Sequence, residues 1–196
     1  MSRAGGRCIL RSGFVRCAAP DVGGCAPGCD APTGRVIRAG PEYAAEALGI
    51  LREAAVWAIR RGVDVWADAE LRERDFATAA GLGQLIMGLC GDRSAATMLL
   101  QPSDPVYWPN AAPHTALYLH KIAVLREFAG RGWLTRLIDF AANEARDRGI
   151  PCLRLDTLCK SPLQDLYARH GFAAVDEAPL VIHGRHMIRM ERALTV

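Results

Sequence analysis

Lysine is nearly missing from this 196-residue chain: Lys121 and Lys160 are its two lysines, and arginine carries the rest of the positive charge. The arginines are scattered and the formal net charge is only +3, so nucleic-acid binding is not the expected role. No apolar run approaches the roughly 18–20 residues needed to cross a bilayer, which excludes a membrane-spanning helix as an expectation. The phosphate-loop spelling G-x-x-x-x-G-K-[ST] does not occur, and Gly130-Arg131-Gly132 is not G-x-G-x-x-G. C-x-x-C is also missing, although there are seven cysteines. Cys8, Cys17, Cys25 and Cys29 fall at spacings that match no common structural zinc pattern, so no metal is expected. Cys90, Cys152 and Cys159 lie in or beside apolar, strand-like runs, where a reduced cysteine behaves as a small hydrophobe.

What is present divides in two. Residues 1–34 are rich in Gly, Pro, Cys and Arg without sustained periodicity, and read as a disordered extension. Residues 35–196 read as one domain. A short strand at 35–38 precedes a long helix with Ala44, Ala47, Leu48, Leu51, Ala55 and Ile59 on one face. A second helix is expected over 69–80, then strands at 84–90 and 95–100 around a Gly91-Asp92-Arg93-Ser94 turn. A proline-punctuated loop over 102–113 leads to a long strand over 115–124. A helix over 134–148, a strand over 152–157, a short helix begun by Ser161-Pro162, and a final strand pair at 172–175 and 186–193 complete the order β-α-α-β-β-β-α-β-α-β-β. That order predicts an α/β (α+β) mixed sheet with helices on both faces.

The most informative stretch is the strand ending Ile122-Ala123-Val124, followed by Ala129-Gly130-Arg131-Gly132-Trp133-Leu134-Thr135. A strand that stops at a glycine turn and opens into a helix makes an anion cradle. Unpaired backbone N–H groups and the positive end of the helix dipole converge there.

Together with Leu153-Arg-Leu-Asp156 and the frame Leu163-x-x-x-Tyr167-x-x-x-Gly171-Phe172, this stretch resembles the GNAT superfamily of acetyl-CoA-dependent N-acetyltransferases over residues 35–194. Trp57 and the Gly62-Val-Asp-Val-Trp66 segment resemble a bacterial branch of it. The resemblance implies a cytoplasmic acyltransferase with the GNAT-like fold, taking acetyl-CoA as co-substrate and a small-molecule amine as acceptor by direct ternary-complex attack. It implies no nucleic-acid or membrane partner and is compatible with a homodimer. Backbone groups at Ile122, Ala123 and Val124 would hold the pantetheine arm, residues 129–135 the pyrophosphate, and Ser161 a further part of the carrier. The chain departs from the family's [Gln/Arg]-x-x-Gly-x-[Gly/Ala] signature, with Ala129 in the first place and Leu134 in the last. Two alternatives follow: a binding or regulatory module with a weakened CoA site, or an enzyme using a longer acyl-CoA.

Acetyl transfer to an amine needs a base, a polarised thioester and an acid for the departing thiolate. His120 is the candidate base, since histidine titrates near neutrality. Strand alternation would put Tyr118, His120 and Ile122 on one face. A strand histidine is also a common core residue. Tyr167 is the candidate acid, at the place where the family carries a phenol near the sulfur. Trp66, Trp108 and Tyr118 are candidate acceptor-pocket residues, with Tyr107 beside them on the loop. Asp68 and Asp104 could pair with a cationic amine or be solvated carboxylates.

Overall fold

The computed structural model describes residues 34–195 apart from residue 67. The expected extension lies outside the described residues except for Gly34. The described chain runs β1 (Arg35–Arg38), α1 (Ala44–Ile59), α2 (Glu73–Gly81), β2 (Leu85–Cys90), β3 (Arg93–Gln101), β4 (Leu117–Val124), α3 (Trp133–Asp147), β5 (Cys152–Leu158), α4 (Pro162–Ala168), β6 (Ala173–Ala174), β7 (Leu180–Ile182) and β8 (Arg185–Ala193). Short 3-10 turns precede α1 at Pro41–Tyr43 and α2 at Asp68–Glu70.

The strands form one sheet in the order β1-β2-β3-β4-β5-β8-β6, with β7 on the same edge of β8 as β6. Neighbours are antiparallel except β4 and β5, which are parallel. The mixed sheet expected from the alternation of elements is therefore present, with one strand more than expected. β7 is a three-residue partner of β8 across the His183-Gly184 turn. The second helix also starts later than its pattern promised. The acidic stretch from Asp68 makes a 3-10 turn, Leu71 inserts into the core at 2 % exposure, and α2 begins only at Glu73.

Each sheet face buries its own apolar layer. Leu85, Met87, Leu89 and Ala123 meet the buried stripes of α1 and α2. Ile86, Met98, Leu117, Leu119, Leu153 and Leu155 meet α3 and the Tyr167–Phe172 end of α4. α3 buries Trp133, Leu137, Ile138, Ala141, Ala142 and Ala145, the single stripe expected of a 3.6-residue period. Burying Leu137 or Ile138 completely stabilises the fold by about 1.5–3 kcal/mol each. A third, smaller cluster forms where residues 102–113 return over the sheet and seat Trp108 on Ala116, Tyr118 and Cys152. Cys152 and Cys159 are free thiols, as expected, whereas Cys90 is disulfide-bonded.

Candidate functional site

The site begins with two parallel strands that part. β4 and β5 pair at Leu117–Leu153 and Tyr118–Arg154, and among the described residues the ladder ends there. On its other side β4 pairs with β3, but the register slips. Thr97 faces Ala123 and Leu99 faces His120, so two residues of β4 stand opposite Met98 alone. Lys121 takes up the extra residue in the left-handed region, at φ 50°. A bulge of this kind bends a strand and inverts the alternation of its side chains.

The inversion corrects the expected alignment of Tyr118, His120 and Ile122. Ile122 and Val124 pack with Leu117 and Leu119 against the α3 side. Tyr118 belongs instead to the cluster with Trp108. His120 and Lys121, adjacent in sequence, both line the cavity that opens between the parting strands.

That cavity has a volume of about 160 Å³. β4 contributes Leu119, His120, Lys121 and Ile122, β5 contributes Asp156, Thr157 and Leu158, and α4 contributes Leu163 and Tyr167. Trp66 and Glu70 reach in from the α1–α2 connection, Tyr107 from the proline-rich loop, and Arg185 and Met187 from β8. Both proposed proton carriers, His120 and Tyr167, thus share one cavity, together with Trp66.

Three other expectations are corrected or narrowed. Tyr118 and Trp108 line a separate hollow, at 2 % and 9 % exposure, with ring centroids 5.3 Å apart. The Tyr118 hydroxyl accepts a hydrogen bond from Arg154 at 3.2 Å. They are buried because the loop folds back onto the sheet rather than standing open as a wall. Ser161 lines a third hollow beside Lys160, where its hydroxyl donates to the Leu158 carbonyl at 2.8 Å. The Trp133 side chain is buried in the core against Phe128, which leaves only its backbone for a ligand.

His120 lies between two carboxylates. Its Nε2 lies 3.5 Å from Asp104 Oδ2 and its Nδ1 lies 3.5 Å from Asp156 Oδ1. Asp104 is buried at 6 % exposure. Its Oδ1 accepts the N–H groups of Val106 and Tyr107, both at 3.1 Å. Its Oδ2 is buried without a hydrogen-bond partner among the described residues. Asp104 is therefore neither solvated nor in the cavity wall. The side chain of Asp68 is outside the described ones. Burial, then the charge of Asp156, hold the Tyr107 pKa above the ordinary tyrosine value. Tyr167 is likewise raised, first by burial and then by Asp156, so its proton stays on oxygen at neutral pH.

Sequence reading missed Asp104 as a partner of His120 and gave Asp156 no role. The signal for Asp156 was a carboxylate in the middle of a central strand. Asp104 carried no such signal, because only the folded loop brings it to β4. Cys152 lies away from the cavity. Its thiol donates to the Thr115 carbonyl at 3.2 Å, and burial pushes its pKa up to about 11, which disfavours an acyl-cysteine route.

The glycine turn has the geometry of an anion cradle. Gly130 and Gly132 sit at φ 76° and 81°, where a side chain would be strained. The first helical bond of α3 runs from Arg136 N–H to the Gly132 carbonyl. The N–H groups of Trp133, Leu134 and Thr135 therefore lack intrahelical partners and lie at the positive end of the dipole. Leu134 is partly buried and packs against the core, so it does not fill the turn.

The sequence and the fold have counterparts among known proteins. The model of the acetyltransferase (GNAT) family matches residues 51–172. The chain belongs to the GNAT family. The uncharacterised N-acetyltransferase YesJ of Bacillus subtilis is 28 % identical over 139 residues, covering 67 % of this chain and 77 % of YesJ. A GNAT-family acetyltransferase of Listeria monocytogenes superposes with a TM-score of 0.68 at 22 % identity, over 82 % of this chain and 95 % of its own. The PaiA N-acetyltransferase of Thermoplasma acidophilum, solved with coenzyme A, superposes with a TM-score of 0.64 at 12 % identity, over 82 % and 98 %. The protein is thus a GNAT acetyltransferase, and the reading as a binding module without catalysis falls away. No helix among the described residues is long and apolar enough to cross a membrane.

Proposed function

We propose that this GNAT enzyme moves an acetyl group from acetyl-CoA to the primary amine of a small molecule by direct attack. When bound, acetyl-CoA supplies an acetyl group already activated as a thioester. The chain's residues fit such a carrier in two places. The N–H groups from Gly130 to Thr135 suit a pyrophosphate. The β4 edge beyond Tyr118, which has no ladder partner on β5, offers backbone donors and acceptors to an extended pantetheine arm.

The observation that carries the mechanism is the seating of His120 between Asp104 and Asp156 in the cavity that also holds Tyr167. His120 takes a proton from the acceptor ammonium, directly or through one water, so that the nitrogen lone pair is free to attack. Asp104 acts through His120, as a positioning residue. Tyr167 keeps its proton until a thiolate develops, then donates from its Oη. Met187 and Leu163 give the cavity an apolar wall, which strengthens each of these interactions.

The test is incubation of the protein with acetyl-CoA and a library of primary amines, read by mass spectrometry and by release of free thiol. The expected result is at least one amine gaining one acetyl group, with His120→Ala and Tyr167→Phe both slow. Absence of any acetylated amine, with acetyl-CoA demonstrably bound, rejects the proposal.

A further inference from the structure

The wall of the cavity carries a charge arrangement that proton transfer does not use. Lys121 on β4 and Arg185 on β8 both reach Glu70, with Lys121 Nζ 3.1 Å from Oε2 and Arg185 Nη1 2.9 Å from Oε1. One carboxylate thus bridges two cations, one to each oxygen. Arg185 is steadied further by Asp64 and by the Val65 carbonyl, both at 3.5 Å. Lys121 is steadied by the Trp66 ring, with its ammonium 5.5 Å from the centroid.

The three side chains differ in how firmly they are placed. Lys121 and Arg185 extend from strands and are 20 % and 23 % exposed, whereas Glu70 ends a single 3-10 turn and is 42 % exposed. The two cations are the more buried part of this cluster and Glu70 the more exposed part. Removal has a condition attached. Burial already disfavours the charge on Lys121, and Glu70 offsets that. Withdrawing the carboxylate alone would take from Lys121 its hydrogen-bonded partner and leave Arg185 with Asp64. Exchanging it for another carboxylate leaves the balance as it was. A neutral or cationic group offers no such exchange. The same cavity presents His120 and Asp156, the groups suited to an amine.

We infer that the acceptor is an amine that also bears a carboxylate, of the amino-acid class, whose carboxylate displaces Glu70 from Lys121 and Arg185 while its amine faces His120 and Asp156. This inference rests on the N-acetyltransferase reading above. Glu70 is then an internal competitor standing in for the substrate carboxylate.

The experiment compares matched trios with acetyl-CoA: each L-amino acid, its carboxamide and its decarboxylated amine, scored by kcat/KM. The best acid is expected to exceed its own amide by about tenfold or more, as loss of a charged partner at a half-buried pair requires. Glu70→Gln is expected to lower KM for that acid several-fold and leave KM for its amide within about twofold. Arg185→Gln is expected to raise the acid's KM and, again, to leave the amide's unchanged. Amides or simple amines used as well as the acids overturn the inference, and so does a Glu70→Gln variant whose acid KM rises. Should amines be acetylated without preference for a carboxylate, only this inference fails. Should no amine be acetylated while acetyl-CoA still raises the melting temperature, the N-acetyltransferase reading fails and takes the inference with it.

Discussion

The imidazole proposed to accept a proton from a substrate stands 3.5 Å from a carboxylate pinned by its own loop. Two backbone amides hold Asp104 Oδ1, which fixes Oδ2 beside His120 Nε2. Asp104→Asn keeps the size of the side chain and the oxygen that closes the turn, but exchanges the facing oxygen for an amide of lower charge. We expect kcat to fall about tenfold or more, the acetyl-CoA KM to hold, and the acidic limb of the pH–rate profile to move, because the residue acts through the base. An unmoved limb would show Asp104 to be structural only. Tyr167→Phe removes a proton donor and little volume, and should lower turnover about a hundredfold with acetyl-CoA affinity unchanged. Equal turnover in stopped-flow assays would exclude it as the acid. That His120 and Tyr167 line one cavity was foreshadowed in the sequence, because each sits in a recognisable frame, a strand before a glycine turn and a helix before Gly171-Phe172. Asp104 was not, because nothing local says that a proline-rich loop folds back so that Arg189 can donate to the Tyr107 carbonyl at 2.9 Å.

That loop contact belongs to a larger tie between elements. Arg189 on β8 holds Asp176, the residue two past β6, through side-chain bonds of 2.6–3.1 Å, and its backbone N–H adds one at 3.1 Å. The Arg189 hydrogen bonds hold the Asp176 carboxyl below the usual carboxylate range. A carboxylate depressed in the folded state stabilises above its unfolded pKa and loses that contribution as pH falls through the folded value. Asp176→Asn should therefore lower stability by about 1.5–3 kcal/mol at neutral pH, the scale of hydrogen bonds to charged groups. The difference from wild type should shrink below about pH 4 and vanish in stronger acid, as denaturant titrations at several pH values would show. A constant difference would mean that shape, not charge, matters. A second element-level tie runs through Gly88. A Cβ there would lie 2.7 Å from the ring of Trp133, the first residue of α3. Gly88→Ala should cost about 1–3 kcal/mol as overpacking. Because the displaced residue opens the anion cradle, acetyl-CoA affinity should fall too, a coupling that calorimetry can read. Alternation and helical periodicity made most strands and helices legible. They could not reveal the β4 bulge, since lysine is not a turn residue and nothing in Tyr118–Val124 marks a left-handed position. β7 stayed hidden for a related reason: it is three residues long and exists only as the partner of β8.

At the scale of the whole molecule, the sheet is two halves that share little hydrogen bonding. The β1–β4 half and the β5–β8 half meet in a ladder of two residue pairs, and below it in the apolar layer under α3 and α4. The order of elements made this architecture legible, because a parallel pair must be joined by a crossover and α3 supplies it. The divergence of the pair was not legible, for it depends on the bulge. A carrier lying along the open edge of β4 would touch both halves, so its binding should stabilise the molecule as a unit rather than one loop. At a hundred times its dissociation constant, acetyl-CoA should add about 2.7 kcal/mol. For a chain of this size that corresponds to a rise of about 5–10 °C in melting temperature. Hydrogen exchange then distinguishes where the stabilisation arises. With acetyl-CoA bound, amides at Ile122, Ala123 and Val124 and along Asp156–Leu158 should slow together, along with those from Gly130 to Thr135. Adenosine 3′,5′-bisphosphate has neither the pyrophosphate nor the pantetheine arm and should leave the strand-edge amides unprotected. If acetyl-CoA protected the glycine turn alone, the parted strands would not be the seat of the arm, and the cavity holding His120 would lie off the path of the acetyl group.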